Sequence, residues 1–399
     1  MNKKIIAKEE ISRWLVLLFA GACGIIVANL YYAQPLVGLI SSDIGLPPDS
    51  AGMIVTMTQL GYAFGLLFFV PLSDLIENKK LTIGILLIAI AGLLIVITTH
   101  NVLIFLIAIT MIGLGSVSAQ ILVPLASFLA SVAQRGKMVG NVMSGLLLGI
   151  MLARPISSFL ASIFNWKFVF ILSAILLLIL IFILQKKLPS RQPIQNDKYS
   201  DIIKSMGRLL RDEEILRRRA LYQATLFGTF SLFWTVTPQW LGSNFHLKQQ
   251  GIALFAFVGV AGAVAAPIAG RLADRGVTNK LTGIAFVTAS LSFAIPHLYN
   301  GNKLFSLMLL CLSAVILDCS VSANLVLSQQ KIYGLDAEKR GRMNGLFMAI
   351  FFIGGAVGSS VGGYIYVHYG WKGTSLLGFV LPLLGLLYFL TELKSVNRI

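Results

Sequence analysis

Apolar runs near or above twenty residues recur along the whole chain, and nothing else in the sequence constrains the fold as tightly. Lipid offers a backbone no hydrogen-bonding partners, so a chain crosses it as helices or as a closed barrel. A helix needs about 20 residues to traverse the hydrocarbon. The runs here are continuous rather than alternating, which selects helices. Of the 399 residues, 57% are hydrophobic and only 12% charged, against about 25% charged in soluble domains. The sequence therefore predicts an all-α membrane protein with twelve transmembrane helices. They fall at 14–40, 51–73, 81–99, 102–131, 139–163, 168–185, 220–242, 250–270, 281–299, 304–333, 343–366 and 373–393.

The net charge of +16 reads as a membrane signature rather than as a nucleic-acid footprint, because of where the charges lie. An even number of spans puts both termini on one side. The segments on that side hold 27 of the 32 Lys and Arg. The opposite loops hold only Lys167, Lys248, Lys303 and Lys372. The positive-inside rule then puts both termini in the cytoplasm, and the chain is read as a multi-pass protein of a bacterial cytoplasmic (inner) membrane. The opening MNKKIIAKEEISR resembles a signal-peptide n-region, but a long apolar run without a small-residue cleavage site follows, so it is read as a retained first span. Cys23, Cys311 and Cys319 all fall in apolar spans, where no disulfide framework is expected.

The longest loop, 186–219, carries 10 basic and 5 acidic residues. Within it Ile202, Ile203, Met206, Leu209 and Leu210 share one helical face, with Ser200 or Asp201 placed to cap it. Two readings stand: an amphipathic helix on the cytoplasmic leaflet, and a solvated linker between two bundles. The expected domains are an N-terminal six-helix bundle (1–185), this linker (186–219) and a C-terminal six-helix bundle (220–399).

Three repeats support the division. PLSDLIENKK at 71–80 matches RLADRGVTNK at 271–280. RGKMVG at 135–140 matches RGRMNG at 340–345, and FNWKF at 164–168 matches YGWKG at 369–373. Each pair occupies the same topological place, which implies duplication into two pseudo-symmetric six-helix bundles, an architecture common among secondary transporters.

With these motifs in view, the whole chain resembles a major facilitator superfamily transporter of the twelve-span drug:proton antiporter type. Asp74, Lys79 and Lys80 are similar to the family's signature between the second and third spans, although Val70, Leu75 and Glu77 depart from it. The second-half copy, Gly270, Asp274, Arg275 and Gly276, fits better. Gly145 and Gly149 resemble the antiporter signature of the fifth span, with Ile150 where proline is usual. Ile109 stands near where such antiporters carry an arginine. The resemblance implies gating roles for Asp74, Lys80, Asp274 and Arg275, and for Arg135 and Arg340 in the repeated RGxM motif. An acid at a helix N-terminus is favoured by the helix dipole, and basic neighbours can bridge adjacent helix ends. Such pairs would latch one access state and break in the other; the plain alternative is ordinary loop charge.

Two charges remain inside the spans, Arg154 and Asp318. A guanidinium at a helix centre in lipid costs about 2.5–3.5 kcal/mol on insertion scales, so such residues face the protein interior and mark function. The repeat offset sets Ser359 opposite Arg154 and Gly113 opposite Asp318, so both charges break the symmetry. Arg154 has three open readings: binding an anionic substrate group through paired hydrogen bonds, pairing reversibly with Asp318, or a structural tie between the halves. Asp318 is the candidate proton-coupling residue, since burial favours the neutral acid and a nearby cation the carboxylate. Asn29, Tyr32, Gln120, Trp234, Gln239, Ser322 and Gln329 lie on spans one, four, seven and ten, which line the cavity in the family resembled. They join Arg154 as candidate substrate-binding residues.

A Gly-rich phosphate loop is absent, the four histidines stand singly without metal-ligand spacing, and no HExxH or GxSxG occurs. The sequence therefore predicts no enzyme, no cofactor and no metal, with small-molecule substrate, protons and the bilayer as partners of a monomer. The reading is a proton-coupled exporter (antiporter) of small organic solutes working by alternating access, as in multidrug efflux. The alternatives are an exporter of an anionic metabolite such as a carboxylate-type siderophore, and a facilitator or importer without proton coupling.

Overall fold

The computed structural model describes residues 13–131, 134–193, 198–273, 275–298, 301–336 and 339–396. Among them the regular structure is helical. Span one runs through Arg13–Ala28 and, after a tight turn, Gln34–Leu36 and Val37–Ile44. Spans two and three are Met53–Phe68 and Asn78–Thr98. Span four is Val102–Ser116 continued as Ser118–Leu129, span five Arg135–Ile163 and span six Trp166–Lys187. A linker helix, Tyr199–Asp212, precedes span seven, Glu214–Phe245. Span eight is Gln249–Ala256, Phe257–Ala261 and Gly262–Ala273 in series, span nine Thr278–Ala294 and span ten Lys303–Tyr333. Spans eleven and twelve share one helical stretch, Arg340–Val396, broken at Gly370, whose φ of 61° suits glycine alone at no cost. Eight helical segments are long and apolar enough to cross a membrane as they stand. The interrupted, more polar or shorter spans and the split at Gly370 bring the count to the twelve expected. Leu87, Leu94, Ile107, Phe182 and Leu387 point outward and exposed, as acyl-facing side chains do.

At the end remote from the linker, spans four, six and ten start on asparagine caps. Asn101 accepts from the Ile104 amide at 3.1 Å, Asn165 from Phe168 at 2.9 Å and Asn302 from Leu304 at 2.8 Å. Each satisfies an amide that the first turn leaves open.

Within each half, glycines let the first and fifth helices touch backbone to backbone, the packing that replaces the hydrophobic drive in lipid. A Cβ on Gly149 would stand 2.2 Å from the Gly24 carbonyl, and one on Gly145 2.3 Å from that of Ala20. In the second half Gly354 and Gly358 meet Ala224 and Gly228 at 2.3 and 2.0 Å. The same i, i+4 glycine pair thus recurs on spans five and eleven.

The apolar face of the linker helix is not on the leaflet. Met206 and Leu209 pack with Leu216, Ile332, Met343 and Phe347 at the ends of spans seven, ten and eleven. Tyr199 donates to the Phe68 carbonyl at 2.9 Å and Arg342 to Ser205 at 3.0 Å, so the helix is pinned to both halves. The sequence reading also missed a buried charge. Arg219, which it placed in the loop, is 1% exposed. It pairs with Glu392 at 2.8 Å and donates to Thr282 at 3.0 Å and Asn279 at 3.1 Å. Tyr222 donates to the other Glu392 oxygen at 2.9 Å. The helix of span seven continues below the apolar run, carrying Arg219 into a junction of spans seven, nine and twelve.

Two outcomes are expected in thermal-unfolding assays of purified variants. Gly149→Leu lowers stability by overpacking, about 1–3 kcal/mol, while Gly140→Leu, whose Cβ position meets nothing within 4 Å, leaves it nearly unchanged. Arg219→Ala costs about 1.5–3 kcal/mol by removing its charged hydrogen bonds to Glu392, Thr282 and Asn279, whereas Lys204→Ala on the linker helix's exposed face is near neutral.

Candidate functional site

Arg154 and Asp318 are each 4% exposed, and neither faces lipid. They make no direct ion pair. Trp234 of span seven joins them instead. The Arg154 guanidinium carbon lies 4.1 Å from the centre of the Trp234 ring, and the indole N–H donates to Asp318 Oδ1 at 2.9 Å. One side chain thus shows its electron-rich face to the cation and its N–H edge to the carboxylate. Phe230 at 5.0 Å and Tyr31 at 5.8 Å complete an aromatic shell around the guanidinium.

The shell leaves Arg154 incomplete. Its Nε and Nη1 are buried with no hydrogen-bond partner among the described residues. A desolvated cation–π contact is worth about 2 kcal/mol, while a buried unmet donor costs about 1–3 kcal/mol, more when charged. Stacking on Trp234 therefore offsets no more than one of the two.

Space for Asp318 is made by span eight. A Cβ on Gly262 would stand 2.5 Å from that of Asp318, and one on Gly259 2.8 Å from its Oδ2. The equivalent crossing in the first half is built the other way round. There Gly113 of span four lies against span two, its Cβ position 2.0 Å from the Thr58 carbonyl. Gly113 and Asp318 occupy matching places in the repeat; the close approach is made by the glycine of span four in the first half and by Gly262 of span eight in the second. The small residue has changed helix, freeing position 318 for a carboxylate.

Beyond Arg154, at the end remote from the linker, the halves are closed. Gln249 Nε2 donates to the Pro35 carbonyl at 3.2 Å and to Ser158 Oγ at 2.7 Å. Ser158 donates back to the Gln249 carbonyl at 3.1 Å. Thr56 reaches the Ala356 carbonyl at 3.0 Å, and Gln59 reaches Ser231 at 2.9 Å. At the linker end the halves part around a cleft of about 510 Å³, lined by Asp74, Gln120, Ser127, Met206, Tyr333, Arg340, Arg342 and Asn344 among others. Gln120 donates to Tyr62 at 3.0 Å. From Tyr62 a column of rings runs inward: Phe352 at 4.5 Å, Phe227 a further 5.3 Å, then Phe230 at 5.2 Å, beside Arg154.

The other residues singled out in the sequence separate by position. Asn29 bonds within span one, to Ile25 at 3.0 Å, and accepts from Ser173 of span six at 2.6 Å; it joins helices. Tyr32 lines a membrane-facing groove between spans one, five and six, with Gly145, Gly149 and Ser173. Its neighbour Tyr31 faces Arg154, because amides 29–31 bond three residues back, and this tighter winding turns the register. Gln239 bonds to its own span at Thr235, 3.2 Å away, near the closed end. Ser322 is half-buried, and Gln329 bonds to Asn344 at 3.2 Å beside the cleft. Lys80 pairs with Glu77 at 3.2 Å. The Ser190 hydroxyl, and Lys80 after it, hold the Glu77 carboxyl below the usual carboxylate range. Arg340 donates to the Tyr333 carbonyl at 2.7 Å. Arg135 and Arg275 are exposed, and Asp274 lies outside the described residues. Tyr31, Phe230, Gly259, Gly262 and Gln249 were not anticipated; the second-half glycines on span eight were the one signal that could have pointed to them.

Comparison with known proteins places this geometry. The sequence pattern of the Major Facilitator Superfamily matches residues 17–333 and 335–398. The uncharacterized transporter YgaY of Escherichia coli O157:H7 is 37% identical over 380 residues, covering 95% of each chain. The inner membrane transport protein YnfM of Escherichia coli K12 is 25% identical over 355 residues, covering 87% of this chain and 82% of its own. Among solved structures, the nucleoside transporter NupG superposes with a TM-score of 0.74 at 15% identity, over 94% of this chain and 99% of its own. A bacterial homolog of the human lysosomal transporter Spinster gives 0.74 at 13% identity, over 96% of both. The chain is a multi-pass membrane transporter that belongs to the major facilitator superfamily.

Proposed function

We propose that the protein is a proton-coupled antiporter, of the drug:proton type its sequence resembles, that exports small organic solutes from a bacterial cytoplasm by alternating access. The linker end carries the excess of Lys and Arg and is the cytoplasmic face on the positive-inside rule. The cleft then opens to the cytoplasm while Gln249, Ser158 and Pro35 seal the outer face.

The observation that carries this reading is the placement of Asp318. It is the one acid buried deep in the spans among the described residues, and it accepts a hydrogen bond from the Trp234 N–H. Protonation removes the charge that holds the indole edge, and Trp234 also carries Arg154 on its face. A proton on Asp318 therefore loosens the seat of Arg154, and departure of the proton restores it. Solute enters from the cytoplasmic cleft past the Tyr62–Phe352 contact. A proton taken up from the outer face resets the site after release, so inward proton flow drives outward solute flow.

In everted vesicles the wild-type protein is expected to accumulate solute in response to a pH gradient. Asp318→Asn keeps a neutral side chain that still accepts from Trp234, and is expected to lose at least 10-fold of the gradient-driven rate while retaining downhill exchange. Full gradient-driven accumulation by that variant would overturn the coupling role.

A further inference from the structure

We infer that the solute is a small organic anion with a flat apolar body, and that Arg154 receives its negative charge. The inference rests on the transporter reading above and names the substrate class of the same site.

Three independent features lead there. The first is the unmet demand of Arg154, whose Nε–H and one Nη–H lie buried without a partner. Rings lie around it, so what it lacks is a hydrogen-bond acceptor, the role a carboxylate fills. The second is that the seats a cationic solute would use are occupied. The Trp234 face already carries a guanidinium at 4.1 Å, and Phe230 lies 5.0 Å from the same cation. Asp318 already accepts from the indole N–H, and the backbone of span eight at Gly259 closes on its second oxygen. A second cation would meet the repulsion of Arg154 and a carboxylate already engaged by the indole N–H. The third is the mouth of the cleft, whose lining holds Arg340 and Arg342 against the single acid Asp74. That balance attracts anions from the cytoplasm toward the site. A cleft of about 510 Å³ admits a molecule of one to three rings, and the buried rings from Tyr62 to Phe230 that separate it from Arg154 must part for the solute to arrive.

The test is equilibrium binding to the full-length protein in lipid nanodiscs without any gradient, so that it does not depend on proton coupling. The probes are 2-naphthoate, its neutral isostere 2-naphthamide and the cation (2-naphthylmethyl)ammonium, followed by calorimetry and by quenching of tryptophan fluorescence. The expected order is naphthoate well ahead of the amide, with no binding of the ammonium. Arg154→Lys keeps the charge but loses the planar fork, and is expected to weaken naphthoate binding at least 10-fold; Arg154→Gln abolishes it. Thermal unfolding of each variant establishes that it is folded, and the lysine variant serves if the glutamine variant is not. Ammonium binding as tight as naphthoate binding, equal naphthoate affinity in folded wild type and Arg154→Lys, or no naphthoate binding at all would each overturn the inference. Any of these would leave the Asp318 coupling experiment standing, and failure of that experiment would leave this binding result standing.

Discussion

A guanidinium held over an indole ring, deep between two helical bundles and short of hydrogen-bond acceptors, sets the terms for everything around it. It stays charged at any physiological pH, so the surrounding helices must compensate it. Trp234 does so through its ring face and carries the effect on to Asp318 through its N–H. Two opposite charges that would form a tight ion pair if they touched are instead coupled through a neutral, polarisable group. A direct pair in that low-dielectric setting would be hard to separate. An indole bridge is softer, which suits the change of state in the proposed cycle.

The duplicated architecture explains how such a site is built without weakening the scaffold. Both halves retain the glycine contacts that hold their first and fifth helices together, Gly24 with Gly149 and Gly228 with Gly358. What differs is confined to the facing surfaces. Span four offers Gly113 where span ten offers Asp318, and span eight supplies Gly262 to make the room. Arg154 likewise has no charged counterpart in the second half. The shared fold is kept by the small residues, and the asymmetry sits where the bundles face each other.

Much of this was legible in the sequence because membrane physics is restrictive. Continuous apolar runs dictated helices, and a lone arginine and a lone aspartate stood out against them. Trp234 was found as a polar-edged residue on a span expected to face the cavity. The rest depended on local winding and on where helices end. Tyr32 was chosen over Tyr31 because an ideal helical turn was assumed where residues 29–33 form tight turns. Arg219 looked like loop charge because span seven continues as a helix beyond its apolar run. The linker face could have met lipid or protein with the same residues, and only the packing of Met206 against Phe347 decides for protein. Glycines 259 and 262 carry no side-chain signal at all; their meaning is the space they leave for Asp318.

The central claim is that the charge state of Asp318, transmitted through Trp234, sets which end of the protein is open. Distances between spin labels report this directly, with one pair at positions 42 and 248 across the closed end and another at 135 and 340 across the cleft. Lowering the pH is expected to shorten the first distance and lengthen the second in wild type, as the protonated form returns to the cleft-open state, with no such response in Asp318→Asn. Distances that stay fixed across pH in wild type, or that respond equally in the variant, would contradict it.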